Sequence, residues 1–213
     1  GMLRSGGMSN TWWNTEYKLN PLYGTRYALD TLRRDNPERG LVSFYGMLAQ
    51  GFTRNTFIGS EGSSIIPADP RGRLLSLPPN SAANAHFLSM LRYLLVQDWD
   101  LDDDGKPETL RLLFATPKRW LDDGKEIKVE RAPSAFGPVS IHTQSLLSKG
   151  KIIADLKLPT RNDPKRILLR ARLPEGWHLT GATADNKKVQ IDPTGAIDLT
   201  GLKGPVSVQF TVA

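Results

Sequence analysis

Trp12, Trp13, Glu16, Tyr17, Tyr23 and Tyr45 precede Arg54 and Glu61, so the early part of the chain combines aromatic rings with carboxylates. Sugar rings present apolar C–H faces that stack on aromatic side chains, while their hydroxyls seek charged or amide partners. Trp12, Trp13, Tyr17, Tyr45 and Arg54 are therefore the candidates for holding a carbohydrate. Glu61, between Gly59 and Gly62, is the candidate general acid or base, and Glu16 is its partner by character. Cleavage of a glycosidic bond uses two carboxylates about 5 to 9.5 Å apart, according to stereochemistry. Plainer readings stand beside these: the two tryptophans cover helix ends, and Glu61 is a solvated residue or a helix cap.

A second constellation runs from Asp100 to Glu108. Asp100, Asp102 and Asp104 occupy the first, third and fifth positions, Gly105 the sixth and Glu108 the ninth, a spacing that wraps oxygen ligands around Ca²⁺. Arg111 stands where an EF-hand places its bidentate Glu, and the following residues read as a strand. The expectation is a short calcium turn made by Asp100, Asp102, Asp104 and Glu108, against the alternative of a solvated acidic turn. His86, His142 and His178 share no ligand spacing. The chain has no Gly-rich phosphate loop or nucleophile elbow, and with no Cys it has no thiol chemistry.

The elements that must position these groups change period near Glu108. Tyr23, Tyr27, Ala28 and Leu32 recur near helical spacing over Leu22 to Asp35, and Asn36-Pro37 separates this run from a second helix marked by Leu41, Tyr45, Leu48 and Phe52. The short connection implies antiparallel neighbours. Thr53 to Pro79 carries too many glycines and prolines for regular structure and reads as a long loop, of the kind that is often functional. Asn80 or Ser81 then caps a third helix, with Phe87, Leu91, Leu94 and Leu95 as its apolar stripe as far as Val96.

Beyond Thr109 apolar residues alternate with polar ones. Ile152, Ala154, Leu156 and Leu158 share one side of a strand, as do Ile167, Leu169, Ala171 and Leu173, with Arg170 and Arg172 pointing the other way. Val206, Val208, Phe210 and Val212 repeat the pattern, and turn residues recur at about ten-residue intervals, which predicts antiparallel strands of a sandwich. The fold class expected is α+β, a helical segment followed by an antiparallel β-sandwich. The expected division is 1–10 as a tag, 11–100 as the helical part and 101–213 as the β domain.

The stretch ETLRLLFATPKRWLDDGKEIKVERAPSAFGPVS, Glu108 to Ser140, resembles the start of the C-terminal β-domain in bacterial six-hairpin glycosidases, whose catalytic domain is a toroid of paired helices. WWNTEYKLNPLYG, SFYGMLAQGFTR, TFIGSEGSSIIP and LPPNSAANAHFLSMLRYLLV look like the last hairpins of such a ring. The resemblance implies the C-terminal portion of a glycoside hydrolase acting on carbohydrate in a periplasmic or extracellular setting, and a chain not catalytically competent alone. It also implies association through the helical half, either with a second copy or with a chain carrying the remaining hairpins. A non-catalytic carbohydrate-binding or structural accessory module is the alternative.

The 28 Lys and Arg against 22 Asp and Glu give a net charge of +6 and a pI near 9.6. The cations are scattered doublets such as Arg33-Arg34 and Lys187-Lys188, with no nucleic-acid motif beside them, so no nucleic-acid partner is expected. No apolar run approaches the ~20 residues of a membrane span, and no membrane partner is expected.

Overall fold

A computed structural model describes residues 3–4, 7–9, 18–64 and 75–213, with the backbone alone for 3–4, 7–9, 18–19 and 21–23. Among these residues there are three helices and fifteen strands, so the chain is α+β with a sheet-rich part. It divides into two compact units, Gly1–Tyr93 and Leu94–Ala213.

The first unit holds β1 (Leu3–Arg4), β2 (Gly7–Ser9), β3 (Lys18–Asn20), α1 (Pro21–Arg33), α2 (Pro37–Gln50), β4 (Gly62–Ser64), β5 (Leu75–Ser76) and most of α3 (Ser81–Leu95). The expected helical hairpin is present. Pro21 and Pro37 each open a helix, where the missing N–H costs nothing, and the Asn36 side chain accepts a bond from the Arg39 amide. Between the helices Asp35 turns through a positive φ of 56°, and the Asn36 amide returns to the Thr31 carbonyl at 2.8 Å. A Cβ at Gly40 would lie 2.5 Å from Leu32 Cδ2, so the glycine lets the two helices approach.

Three expectations change here. The buried face of α2 is Gly40, Ser43, Phe44, Gly46 and Met47 rather than the stripe led by Leu41 and Tyr45, because small residues permit close helix contact that apolarity alone does not reveal. The long loop is not structureless either: β1 to β5 form a five-stranded antiparallel sheet in sequence order, with β4 and β5 contributed from within Thr53 to Pro79. Leu3–Arg4 and Gly7–Ser9, set aside as part of a tag, are strands of that sheet.

The second unit begins with the last residues of α3, which ends within one residue of the expected Val96, and passes directly into β6 (Val96–Trp99), a strand that was not expected. Then come β7 (Thr109–Leu112), a 3₁₀ turn at Lys118–Leu121, β8 (Glu126–Ala132), β9 (Val139–Leu146), β10 (Lys151–Leu158), β11 (Arg166–Arg170), β12 (Leu179–Ala184), β13 (Lys187–Val189), β14 (Ala196–Asp198) and β15 (Gly204–Val212). They make a six-stranded sheet ordered β13-β12-β15-β10-β9-β8 and a four-stranded sheet ordered β14-β11-β7-β6. All pairings are antiparallel except β11 with β7, which run parallel, Ile167 opposite Leu110. Val96, Leu110, Leu112, Ile167 and Leu169 of the smaller sheet share one core with Ile141, Ile152, Leu156, Val208 and Phe210 of the larger. Burying one such side chain contributes about 1.5 to 3 kcal/mol, so this shared core is what stabilises the unit.

Arg170 and Arg172, expected on the side opposite Ile167 and Leu169, are both buried. Strand β11 lies between two neighbours and is covered on both faces. The Arg170 guanidinium sits 4.0 Å over the Phe114 ring and donates to Thr194 Oγ1 at 2.7 Å, and Arg172 Nη1 donates to the Thr116 carbonyl at 2.7 Å. These contacts compensate the desolvation of the two charges.

Candidate functional site

The candidate acid, Glu61, sits where α2 has ended and the chain folds back on itself. The α2 C-terminus closes with the Gly51 amide bonded to the Met47 carbonyl at 2.7 Å. Phe52 then bridges to Gly59, and the Ser60 amide and hydroxyl both reach the Gly51 carbonyl, each at 3.0 Å. Glu61 follows, half-buried, its amide held 3.1 Å from the Ser76 carbonyl at the end of β5. The next return is through Asn80, whose amide donates to the Gly59 carbonyl at 2.8 Å, while the Asn84 side chain of α3 accepts from the Gly59 amide at 3.0 Å. Asn80 also caps α3, its Oδ1 accepting from the Ala83 amide at 2.9 Å. Gly59 is required by this packing, since an added Cβ would lie 2.1 Å from Asn84 Oδ1 and 3.2 Å from the Asn80 carbonyl oxygen. Glu61 is thus carried by a backbone fixed from four directions: α2, β5, the cap of α3 and α3 itself.

Aromatic rings of α2, of the residue that follows it and of α3 pack together. Phe44 stacks on Phe87 with centroids 4.8 Å apart, Phe52 meets the same ring at 5.0 Å, and Tyr45 stands edge-on to Phe44 at 5.3 Å. Tyr45, proposed from the sequence for carbohydrate binding, is 45% exposed. Arg54 is exposed on the loop that precedes Gly59. Trp12, Trp13, Glu16 and Tyr17 lie outside the described residues. Arg54 and Glu61 thus lie on one segment, closed by the Phe52–Gly59 bridge and the Ser60–Gly51 bond, and the pairing of Glu61 with Glu16 lies beyond what is described. Phe57 and Ile58 on that segment and Leu77 just after β5 are exposed and were not singled out from the sequence; their only signal was an apolar residue within a stretch dense in Gly, Pro, Asn and Thr.

The acidic turn is compact. Carboxylate oxygens of Asp100, Asp102 and Glu108 lie within 4.8 Å of one another. Asp104 is not in that group; its Oδ1 instead accepts from the Lys106 amide at 2.8 Å. Asp100 Oδ2 accepts from the Gly105 amide at 2.8 Å and Glu108 Oε1 from the Leu101 amide at 2.9 Å, so backbone donors close the turn at both ends. Desolvation works to raise the Asp102 carboxyl, but the Lys165 ammonium, 3.4 Å away, and the Asp104 amide outweigh it and hold the group below its ordinary value. Glu108 Oε2 is buried without a hydrogen-bond partner, the condition in which an oxygen gains most from a cation. All-oxygen donors of this kind suit a hard divalent ion, and the residues that fit it are Asp100, Asp102 and Glu108.

Of the histidines, His142 lies 3.2 Å from Glu126 on the exposed face of the six-stranded sheet, His86 is half-buried in α3, and His178 is exposed. They are far apart in the sequence and in different elements.

No protein-family model and no curated protein matches the chain. Among solved structures the chain is similar to a GH127 beta-arabinofuranosidase, with a TM-score of 0.46 and 11% identity over 98% of this chain and 36% of that one. It is also similar to a GH127 beta-L-arabinofuranosidase from Geobacillus stearothermophilus T6, with a TM-score of 0.39 and 15% identity over 98% of this chain and 35% of that one. The fold neighbours are glycoside hydrolases, and the chain spans about a third of the length of each.

Proposed function

We infer that the chain is the C-terminal portion of a six-hairpin glycoside hydrolase-like protein and takes part in carbohydrate processing. The observation that carries this reading is the loop around Glu61: a half-buried residue on a backbone tied to α2, β5 and α3, with the exposed Arg54 earlier on the same loop. Such a group has the fixed position that general acid or base work demands. Glu61 is assigned that role, with Glu16 as the second carboxylate and Trp12, Trp13, Tyr17, Tyr45 and Arg54 as the sugar-contacting set. The second unit is read as a β-sandwich, its two sheets contributing to one core.

The same reading makes the isolated chain inactive, because the helical hairpin and third helix among the described residues are few against the ring of paired helices that the reading requires. Val42 and Tyr45 on α2 and Leu88 on α3 are 55%, 45% and 62% exposed, and this apolar surface is proposed to meet either a second copy or a chain supplying further hairpins. The acidic turn is proposed as a Ca²⁺ site of Asp100, Asp102 and Glu108, supported by the buried, unpartnered Glu108 Oε2. It braces the turn and does no chemistry.

The deciding experiment assays the purified chain on a panel of aryl glycosides while its mass in solution is measured. No turnover by the monomer is expected. Turnover by a strict monomer, abolished by Glu61→Gln, would overturn the inactive-fragment reading and establish Glu61 as catalytic.

A further inference from the structure

We propose that Phe57 and Leu77 form an apolar platform on which one face of a saccharide ring stacks beside Glu61; this rests on the carbohydrate reading above and names the residues that would hold the sugar. The starting observation is backbone conformation. Phe57 has a φ of +51° and Leu77 a φ of +50°, a region that bulky side chains rarely adopt. Strain of this kind persists only where surrounding structure imposes it, and it concentrates at ligand-holding sites. Burial does not account for it, since Phe57 is 59% and Leu77 63% exposed.

The surrounding structure is on both sides of these residues. The Phe57 amide donates to the Thr53 carbonyl at 3.2 Å, the Ile58 amide to Thr53 Oγ1 at 2.9 Å, and the Thr53 amide to the Ile58 carbonyl at 3.1 Å, so the tip is a closed loop. Leu77 directly follows Ser76, whose carbonyl receives the Glu61 amide, and the chain then returns through Asn80 to the Gly59 carbonyl. Phe57, Glu61 and Leu77 thus lie on backbone segments tied together around Gly59. A ring carried on a backbone fixed before binding costs less ordering when a ligand stacks on it, which favours a platform.

The neighbours favour a sugar over a protein surface. Arg54, Asn55 and Thr56 accompany Phe57 on the loop, all exposed, and Glu61 is half-buried. Charged and amide groups interleaved with an aromatic ring match the alternating hydroxyls and C–H face of a saccharide, whereas the centre of a protein interface is depleted of charge.

The test uses saturation-transfer NMR of the full chain with methyl glycosides of pentoses and hexoses, which carry no aryl group of their own. Three proteins are compared: wild type, Phe57→Gly and Phe57→Trp. Transfer to the sugar C–H protons is expected in wild type and in Phe57→Trp, and affinity about tenfold weaker in Phe57→Gly. Glycine also relieves the positive φ, so the melting temperature of Phe57→Gly should equal or exceed that of wild type, which separates loss of the ring from loss of fold. Wild-type binding that survives unchanged in Phe57→Gly overturns the platform and leaves the carbohydrate reading standing. Absence of binding to every sugar by wild type overturns both. A change in mass in solution on Phe57→Gly, with sugar binding intact, assigns the ring to a protein interface instead.

Discussion

Replacing Gly59 by Ala tests whether the loop that carries Glu61 is as tightly specified as its geometry implies. The new Cβ would lie 2.1 Å from Asn84 Oδ1, 3.1 Å from Ala83 Cβ and 3.2 Å from the Asn80 carbonyl oxygen. The first contact is impossible without movement of Asn84, and that movement breaks the 3.0 Å bond it accepts from the Gly59 amide. The other two involve the opening of α3, which has little room to yield. Overpacking of this sort costs about 1 to 3 kcal/mol, and for a unit of this size about 2 kcal/mol lowers the melting temperature by roughly 10 °C. Asn84→Ala alone loses one bond at an exposed side chain and should cost about 1 kcal/mol or less. In the double variant the offending oxygen is gone, so the combined loss should fall short of the sum by about 1 kcal/mol. Scanning calorimetry of the four proteins, with the transition of each unit followed separately, measures this coupling. Strict additivity, or an unchanged transition in Gly59→Ala, would refute the claim that Asn84 locks the loop.

If the acidic turn binds Ca²⁺, millimolar calcium should raise the melting temperature relative to excess chelator, and Glu108→Gln should remove the difference; identical melting in both conditions dismisses the site. A chain beginning at Leu94 should fold cooperatively, because the core of the second unit is built from its own residues, and Phe210→Ala within it should cost about 3 to 5 kcal/mol in urea unfolding; an insoluble or non-cooperative product would show that the helices complete that core. On the exposed sheet face, hydrogen bonding from His142 and then from Gln144 holds the Glu126 carboxyl below its ordinary value. Its contribution is therefore present above the unfolded carboxylate range and lost as pH falls through the lower folded value, so Glu126→Gln should flatten a small part of the acid limb of the stability curve. Equal acid limbs in wild type and variant would remove that pair from the account.

The strands were legible because their period is rigid. In β10 and β15 every second residue is buried, Ile152, Ala154, Leu156 and Leu158 against Val206, Val208, Phe210 and Val212, and a sheet with one buried face writes itself into the sequence as alternation. The same logic failed at β11 and just after it, where a strand between two neighbours is buried on both faces and Arg170 and Arg172 are satisfied by Phe114, Thr194 and Thr116 instead of water. The parallel pairing of β7 with β11 joins segments more than fifty residues apart, and no local pattern encodes such a choice. The start of β6 was hidden because LRYLLVQDW satisfies a helical stripe and a short buried strand equally well until packing decides.

The candidate site was less legible for a different reason. Its parts are residues that hydropathy treats as punctuation: Gly51 and Gly59 where backbones meet, Ser60 and Ser63 fully buried, Asn80 and Asn84 bonding to the loop. A stretch so rich in glycine, serine and asparagine reads as loop, and the reading is right about flexible composition and wrong about the outcome, since hydrogen bonds replace apolar contacts as the means of fixing it. Apolar residues left over from such a construction have no core to enter. Phe57 and Leu77 are therefore informative because they break the rule twice, being exposed and held at positive φ. In a loop fixed by polar contacts, an aromatic ring kept outside the core is free to meet something other than the protein's own chain, and the candidate acid at Glu61 lies on the same fixed backbone.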